Sequence, residues 1–142
     1  MRHKLIWLLV SLVILVGGIT ALKLTVPFAY AEASLRSPAL EFVVELQKMS
    51  DVDPEECAER YLYYDTDYQS EIPARIEITT KQLPESRVRV SIYDPSCRDD
   101  SVHSSIDRIY LHRTDQGVWI PYRHEWSQTG RGQFGWTTEP TS

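Results

Sequence analysis

The residues of this 142-residue chain that could do chemistry lie mostly in its second half: His103, His112 and His124, the carboxylates Asp99, Asp100 and Asp107, and the thiols Cys57 and Cys97. A zinc centre needs three or four converging ligands. The two cysteines stand 40 residues apart with no C-x-x-C pair, so no metal is expected. A calcium loop needs alternating oxygen ligands closed by a glutamate. DPSCRDD, residues 94–100, lacks both, and its Asp94, Pro95 and Ser96 read as turn residues. Asp100, His103, Asp107 and His124 form the candidate polar cluster, and Asp99, Tyr110 and Tyr61 add a further base and donors. General-base catalysis demands a pocket that tunes the base and holds the substrate against it. The positions predicted to point inward are mostly Ile, Val and Leu, which argues against such a pocket. No cofactor is expected.

HEWSQTGRGQFGW, residues 124–136, is the other chemically suggestive stretch. A phosphate-binding glycine loop leads into a helix or carries the G-x-x-x-x-G-K-[ST] pattern. Here Gly130, Gly132 and Gly135 follow a strand and lack the Lys and the hydroxyl. The stretch reads as a clasp over residues 127–142: the glycines turn the backbone, Trp126 and Trp136 bury ring area, and Arg131 reaches a carboxylate or carbonyl of the domain. Receipt of an anionic ligand is the rival role for Arg131.

The setting of these groups follows from charge and hydropathy. Residues 5–22, LIWLLVSLVILVGGITAL, contain only Ser11 and Thr20 as polar residues after a basic MRHK. A helix of that length spans roughly 27 Å, close to a hydrocarbon core. The sequence therefore predicts a membrane anchor behind a cytoplasmic N-terminus at 1–4, with residues 23–36 as a tether and the rest facing the periplasm of a bacterial inner membrane. The alternative is a signal peptide cleaved after Ala31, given the A-x-A at Ala29 and Ala31. Beyond residue 31 there are 12 basic and 20 acidic residues, a charge of −8. That excess disfavours a nucleic-acid partner and leaves the membrane and an envelope protein as expected partners. In an oxidising compartment Cys57 and Cys97 are expected to form a disulfide.

About 110 residues remain for one domain with one core. SPALEFVVELQKM repeats apolar residues at helical spacing after Ser37 as N-cap and Pro38 as first helical residue. DVDPEECAERYLYY adds a second amphipathic helix, with Asp53 and Glu56 spaced as a capping box. From residue 74 the period changes to two. Ile76 and Ile78 alternate with polar residues, QLPE makes a turn, and RVRVSIY sets Val88, Val90 and Ile92 on one face. VHSSIDRIYLHR and VWIPYRHEW flank TDQG as a hairpin. A four-residue loop would set Arg113 opposite Val118, Leu111 opposite Ile120, Ile109 opposite Tyr122, His112 opposite Trp119 and Asp107 opposite His124, this last pair on the solvent face. Pro121 forces an edge or a bulge. The fold class is α+β, two N-terminal amphipathic helices on a four-stranded antiparallel sheet spanning 37–126.

This element order, with SPALEFVVELQKM, the D-x-P-E-E start and a closing L-x-R-x-D-x-G-x-W hairpin, resembles the cystatin-like cone of the nuclear-transport-factor-2-like superfamily. The ending also resembles that of uncharacterised bacterial envelope proteins, with Trp126, Gly130, Arg131, Gly132, Trp136 and Glu139-Pro140 kept and Ser127, Gln128 and Thr141 at the positions where cysteines would fall. That ending implies no activity, and with no convergent polar groups expected the leading reading is a non-catalytic, membrane-tethered envelope domain with an interaction or support role. Some cone members are isomerases or hydratases, so a small enzyme or ligand carrier with a cavity between helices and sheet is the alternative.

Overall fold

The computed structural model describes residues 27, 29–64, 76–95, 102–130 and 135–138. Segment 5–22, Cys97, Asp100, Arg131 and Gly132 lie outside them. No helix among the described residues is long and apolar enough to cross a membrane.

Two helices, α1 (Ser37–Met49) and α2 (Pro54–Leu62), pack on one face of an antiparallel sheet. The helices start where sequence chemistry puts them, within one residue. Arg36, not Ser37, is the N-cap of α1, and Pro38 sits in its first turn. Asp53 caps α2, its carboxylate accepting the Glu56 N–H at 2.9 Å. The joint between the helices is made by Arg36. Its Nη2 donates to the carbonyls of Tyr61 and Leu62 at 3.0 and 2.6 Å, placing a cation at the negative end of α2.

Among the described residues the sheet has six strands where four were expected. They are β1 (Ala31–Ala33), β2 (Glu77–Leu83), β3 (Arg87–Asp94), β4 (Val102–Arg113), β5 (Trp119–Gly130) and β6 (Trp136–Thr137). The order is β1-β5-β4-β3-β2, with β6 also pairing β5. The two extra strands come from residues assigned to the tether and the C-terminal tail. Ala31, Glu32 and Ala33 pair with Trp126, Glu125 and His124, and Trp136 and Thr137 pair with Thr129 and Gln128. Strand β5 runs four residues past the expected domain end, and its outer edge supplies the hydrogen-bonding groups that both short strands use.

The hairpin register differs from expectation by one residue and then by two. Thr114 pairs with Val118 through its own N–H at 2.8 Å, and the Gly117 N–H closes a turn on the Thr114 carbonyl at 2.9 Å. The loop is therefore the three residues Asp115-Gln116-Gly117, with Gly117 at φ 84°, the glycine-terminated type favoured for three-residue hairpins. Arg113 then faces Trp119, His112 faces Ile120, and Leu111 faces Pro121. A bulge at Tyr122 shifts the pairing again, so Tyr110 faces Arg123, Ile109 faces His124 and Asp107 faces Trp126. A bulge beside Pro121 is what its missing N–H predicts.

Alternation on β3 holds as read. Val88, Val90 and Ile92 join Ile109, Leu111, Ala39, Val43, Val52, Cys57, Ala58 and Tyr61 in one buried core. Cys57 is a free thiol, so the predicted Cys57–Cys97 disulfide is not formed. The reason is its position: it lies on the sheet-facing side of α2, sealed in the apolar core. Burial, followed by the nearby Asp53 and Glu56 carboxylates, pushes its pKa up to about 12. The native protein should leave Cys57 unmodified by a thiol reagent at pH 8, and denaturant should expose it. Thiol counting checks this. Because the folded thiol holds its proton longer than the unfolded one, its contribution to stability is constant below about pH 9 and declines as pH rises toward 12.

Candidate functional site

Residues directly opposite in an antiparallel pair share a face, so the registers sort every polar side chain to one side of the sheet or the other. The helix side carries Asp107 and His124. They are not opposite each other. Asp107 faces Trp126, and His124 sits two residues back on the same strand, a diagonal that brings His124 Nε2 to 2.8 Å from Asp107 Oδ1. The imidazole N–H donates and the carboxylate accepts, which fixes the protonated nitrogen as Nε2.

This pair is not on the solvent face where it was expected, because Asp107 alternates with Ile109 and Leu111 on β4 and so shares their inward face whatever the hairpin register. His124 is 8 % exposed, and the Tyr61 ring of α2 stands edge-on to the imidazole at 5.8 Å. Given the three-residue loop, the pairing shift at Tyr122 is what keeps His124 on that same side, beside Ile109. Of the predicted polar cluster, only Asp107 and His124 come together. His103 is exposed, and the register shift between Val102 and Ser104 leaves it unpaired in the ladder. His112 contacts Tyr122, with ring centroids 5.9 Å apart. Among the described residues no group of three His, Cys, Asp or Glu is placed to hold a metal ion.

Among the described residues, no helix packs on the other side of the sheet. Here the registers align Arg89 and Ser91 of β3, Tyr110 and Arg108 of β4, and Arg123 and Glu125 of β5 in a block, with Glu32 of β1 beside Glu125. Glu125 is buried. It accepts the Tyr110 hydroxyl at 2.8 Å through Oε2 and the Arg123 Nη2 at 2.6 Å through Oε1. Arg123 also stands 5.4 Å over the Tyr110 ring, and Arg108 lies 3.5 Å over the ring of Tyr30. Burial raises the pKa of Tyr110, helped by its bond to Glu125 and opposed by Arg89. Burial likewise raises that of Tyr30 against the pull of Arg108 and Arg89. Both phenols stay protonated as donors. The Nε atoms of Arg89 and Arg108 are buried without a hydrogen-bond partner, and among the described residues the block sets three guanidinium groups around one buried carboxylate, Glu125.

Sequence reasoning placed Arg89 outward but did not assemble this block. The available signal was an arginine at an outward position on each of three strands, in RVRV, DRIY and YRHE. Using it required the true hairpin register.

The remaining predicted residues divide by location. Trp126 is half-buried on the helix side, opposite Ala31 and Asp107. Gly130 is buried at the end of β5 opposite Val102. Trp136, in β6, reaches the outer side, its ring centroid 6.1 Å from that of Tyr93 and its Nε1 buried with no partner. A shallow cleft of about 190 Å³ lies elsewhere, where Gln47 and Asp51 meet Arg113 and Gln116 of the hairpin tip. Comparison with known proteins gives no match to a family model, a curated protein or a solved structure.

Proposed function

We propose that this chain is a non-catalytic binding domain, held at a bacterial inner membrane by residues 5–22, whose sheet face opposite α1 and α2 engages an acidic segment of an envelope protein. The observation that carries the reading is the block of Arg89, Arg108 and Arg123 on three adjacent strands, balanced at close range among the described residues by Glu125 and, at 3.7 Å from Arg123, by the exposed Glu32. Arginine forks and tyrosine hydroxyls are the donors that recognise carboxylates. The chain's net charge of −5 opposes an anionic partner at long range, but screening confines that repulsion to about 8–10 Å, so the block acts at contact. The tail strand β6 extends this face and acts in this reading as the clasp that keeps Trp136 against it.

Cross-linking and co-purification of the full-length protein from its native membranes tests the proposal. Arg89→Gln with Arg108→Gln should abolish recovery of the partner while leaving the melting temperature within a few degrees. Unchanged recovery from the double variant would refute it. A specific pair favours the alternative, a small enzyme of the cone type: the enclosed His124–Asp107 dyad. That reading requires the Tyr61 ring to move aside so that a substrate can reach the imidazole.

A further inference from the structure

The two edges of the sheet are treated very differently. On the β5 side, β1 covers His124 to Trp126, β6 covers Gln128 and Thr129, and the Gln47 amide bonds both backbone groups of Trp119, donating to its carbonyl at 2.8 Å and accepting its N–H at 2.7 Å. The opposite edge is β2, EITTKQL, and among the described residues it pairs only with β3. Its register with β3 is unbroken from Glu77 to Leu83, so no bulge twists it away. It contains no proline, and five of its seven residues are exposed. A flat edge of this length with open backbone groups is a template for another strand.

We infer that β2 is an interface with a second copy of this chain, formed by antiparallel pairing of the two β2 strands about a two-fold axis at Thr79. Charge complementarity selects the partner and the register. Placing Thr79 opposite its counterpart sets Glu77 opposite the partner's Lys81, and Lys81 opposite the partner's Glu77, so both symmetry-related pairs are of opposite sign. Moving the axis one residue to Thr80 would set Glu77 opposite Leu83 and Lys81 opposite Thr79, and both pairs would be lost. A two-fold perpendicular to the sheet also keeps the helices of both copies on one side, giving a continuous sheet whose arginine blocks face the same way. Ile78 then meets Thr80 across the axis on the helix side, and Thr80 is already held by its hydroxyl bond to Glu55 Oε1 at 2.6 Å. The inference is independent of what the arginine face binds.

The test uses the full-length chain in detergent or nanodiscs, with mass measured by light scattering or sedimentation. The wild type should be a dimer. Glu77→Lys alone and Lys81→Glu alone should each weaken association roughly tenfold, because each converts both cross-axis pairs to like charges. The combination of the two should restore it, since the reversed pairs are again complementary. Thr79→Cys should give a disulfide-linked dimer under mild oxidation, whereas Gln82→Cys should not. All these positions are exposed, and circular dichroism verifies that each variant remains folded. A monomeric wild type would overturn the inference. So would a dimer indifferent to both single charge changes, which is the behaviour of association through residues 5–22, or a double variant no better than the singles.

Discussion

Replacing Tyr61 with alanine is expected to lower the stability of the domain by about 3–5 kcal/mol, the range for removing a large buried ring from a core. For a domain of this size that amounts to a fall in melting temperature of roughly 15–25 °C. Tyr61 is fully buried and joins the structure at three points. Its ring fills the space between α2 and the sheet, its edge closes over His124 at 5.8 Å, and Arg36 stands 5.7 Å above it while bonding its carbonyl. Alanine there leaves a cavity beside a histidine–aspartate pair that is largely buried. Tyr61→Phe separates ring from hydroxyl. The hydroxyl meets only the Arg36 N–H at a long 3.4 Å, so this variant should lose less than about 1 kcal/mol. Thermal melting of the two variants side by side checks the assignment, and a comparable loss in both would locate the energy in the hydroxyl.

The second large effect belongs to Gln47. Its side-chain amide supplies a donor and an acceptor to the Trp119 backbone and a further bond to the Val43 carbonyl at 3.2 Å, so one side chain does the work of a neighbouring strand. Gln47→Leu keeps the bulk and strands the Trp119 N–H and carbonyl, which should cost about 2–3 kcal/mol. Loss of exchange protection at the Trp119 amide is the specific signature. Gln47→Glu makes a sharper test. A protonated carboxyl keeps one donor and one acceptor for the Trp119 backbone and gives up only the bond to the Val43 carbonyl, whereas the carboxylate has no donor for the Trp119 carbonyl. The folded state therefore favours the protonated form and raises the introduced group's pKa above its unfolded value of about 4.3. The variant should approach wild-type stability below that pH and lose it as pH rises through the folded pKa.

The residues that could be read in advance are those whose outcome depends on local period and local chemistry. Val88, Val90 and Ile92 alternate inward, Asp53 caps α2, and Pro121 lies beside a bulge. Two strands were missed because they exist only through β5. AEA has no strand pattern of its own, and WT is two residues long. The hairpin register turned on whether Thr114 belongs to the loop or to the strand, and the bonds between Thr114 and Val118 place it in the strand. The three-residue loop alone would turn His124 outward, and the extra Tyr122 returns it to the interior beside Ile109. The arginine block was hidden for the same reason. Each arginine was legible as outward-facing, but their adjacency is a property of register across three strands, and periodicity within one strand does not contain it.

The pairing of Ala31–Ala33 with β5 has a mechanical meaning. If residues 5–22 anchor the chain as proposed, a fully extended stretch from residue 23 to residue 36 would allow the domain a reach of about 48 Å, and holding Tyr30 under Arg108 and β1 on β5 shortens the available stretch to residues 23–29, about 24 Å. Tension arriving from the N-terminal side meets the short β1–β5 ladder before it reaches α1, so β1 acts as a fuse that yields first and releases five or six residues of slack. The core, anchored at Arg36 and beyond, would be loaded only after that strand has peeled away.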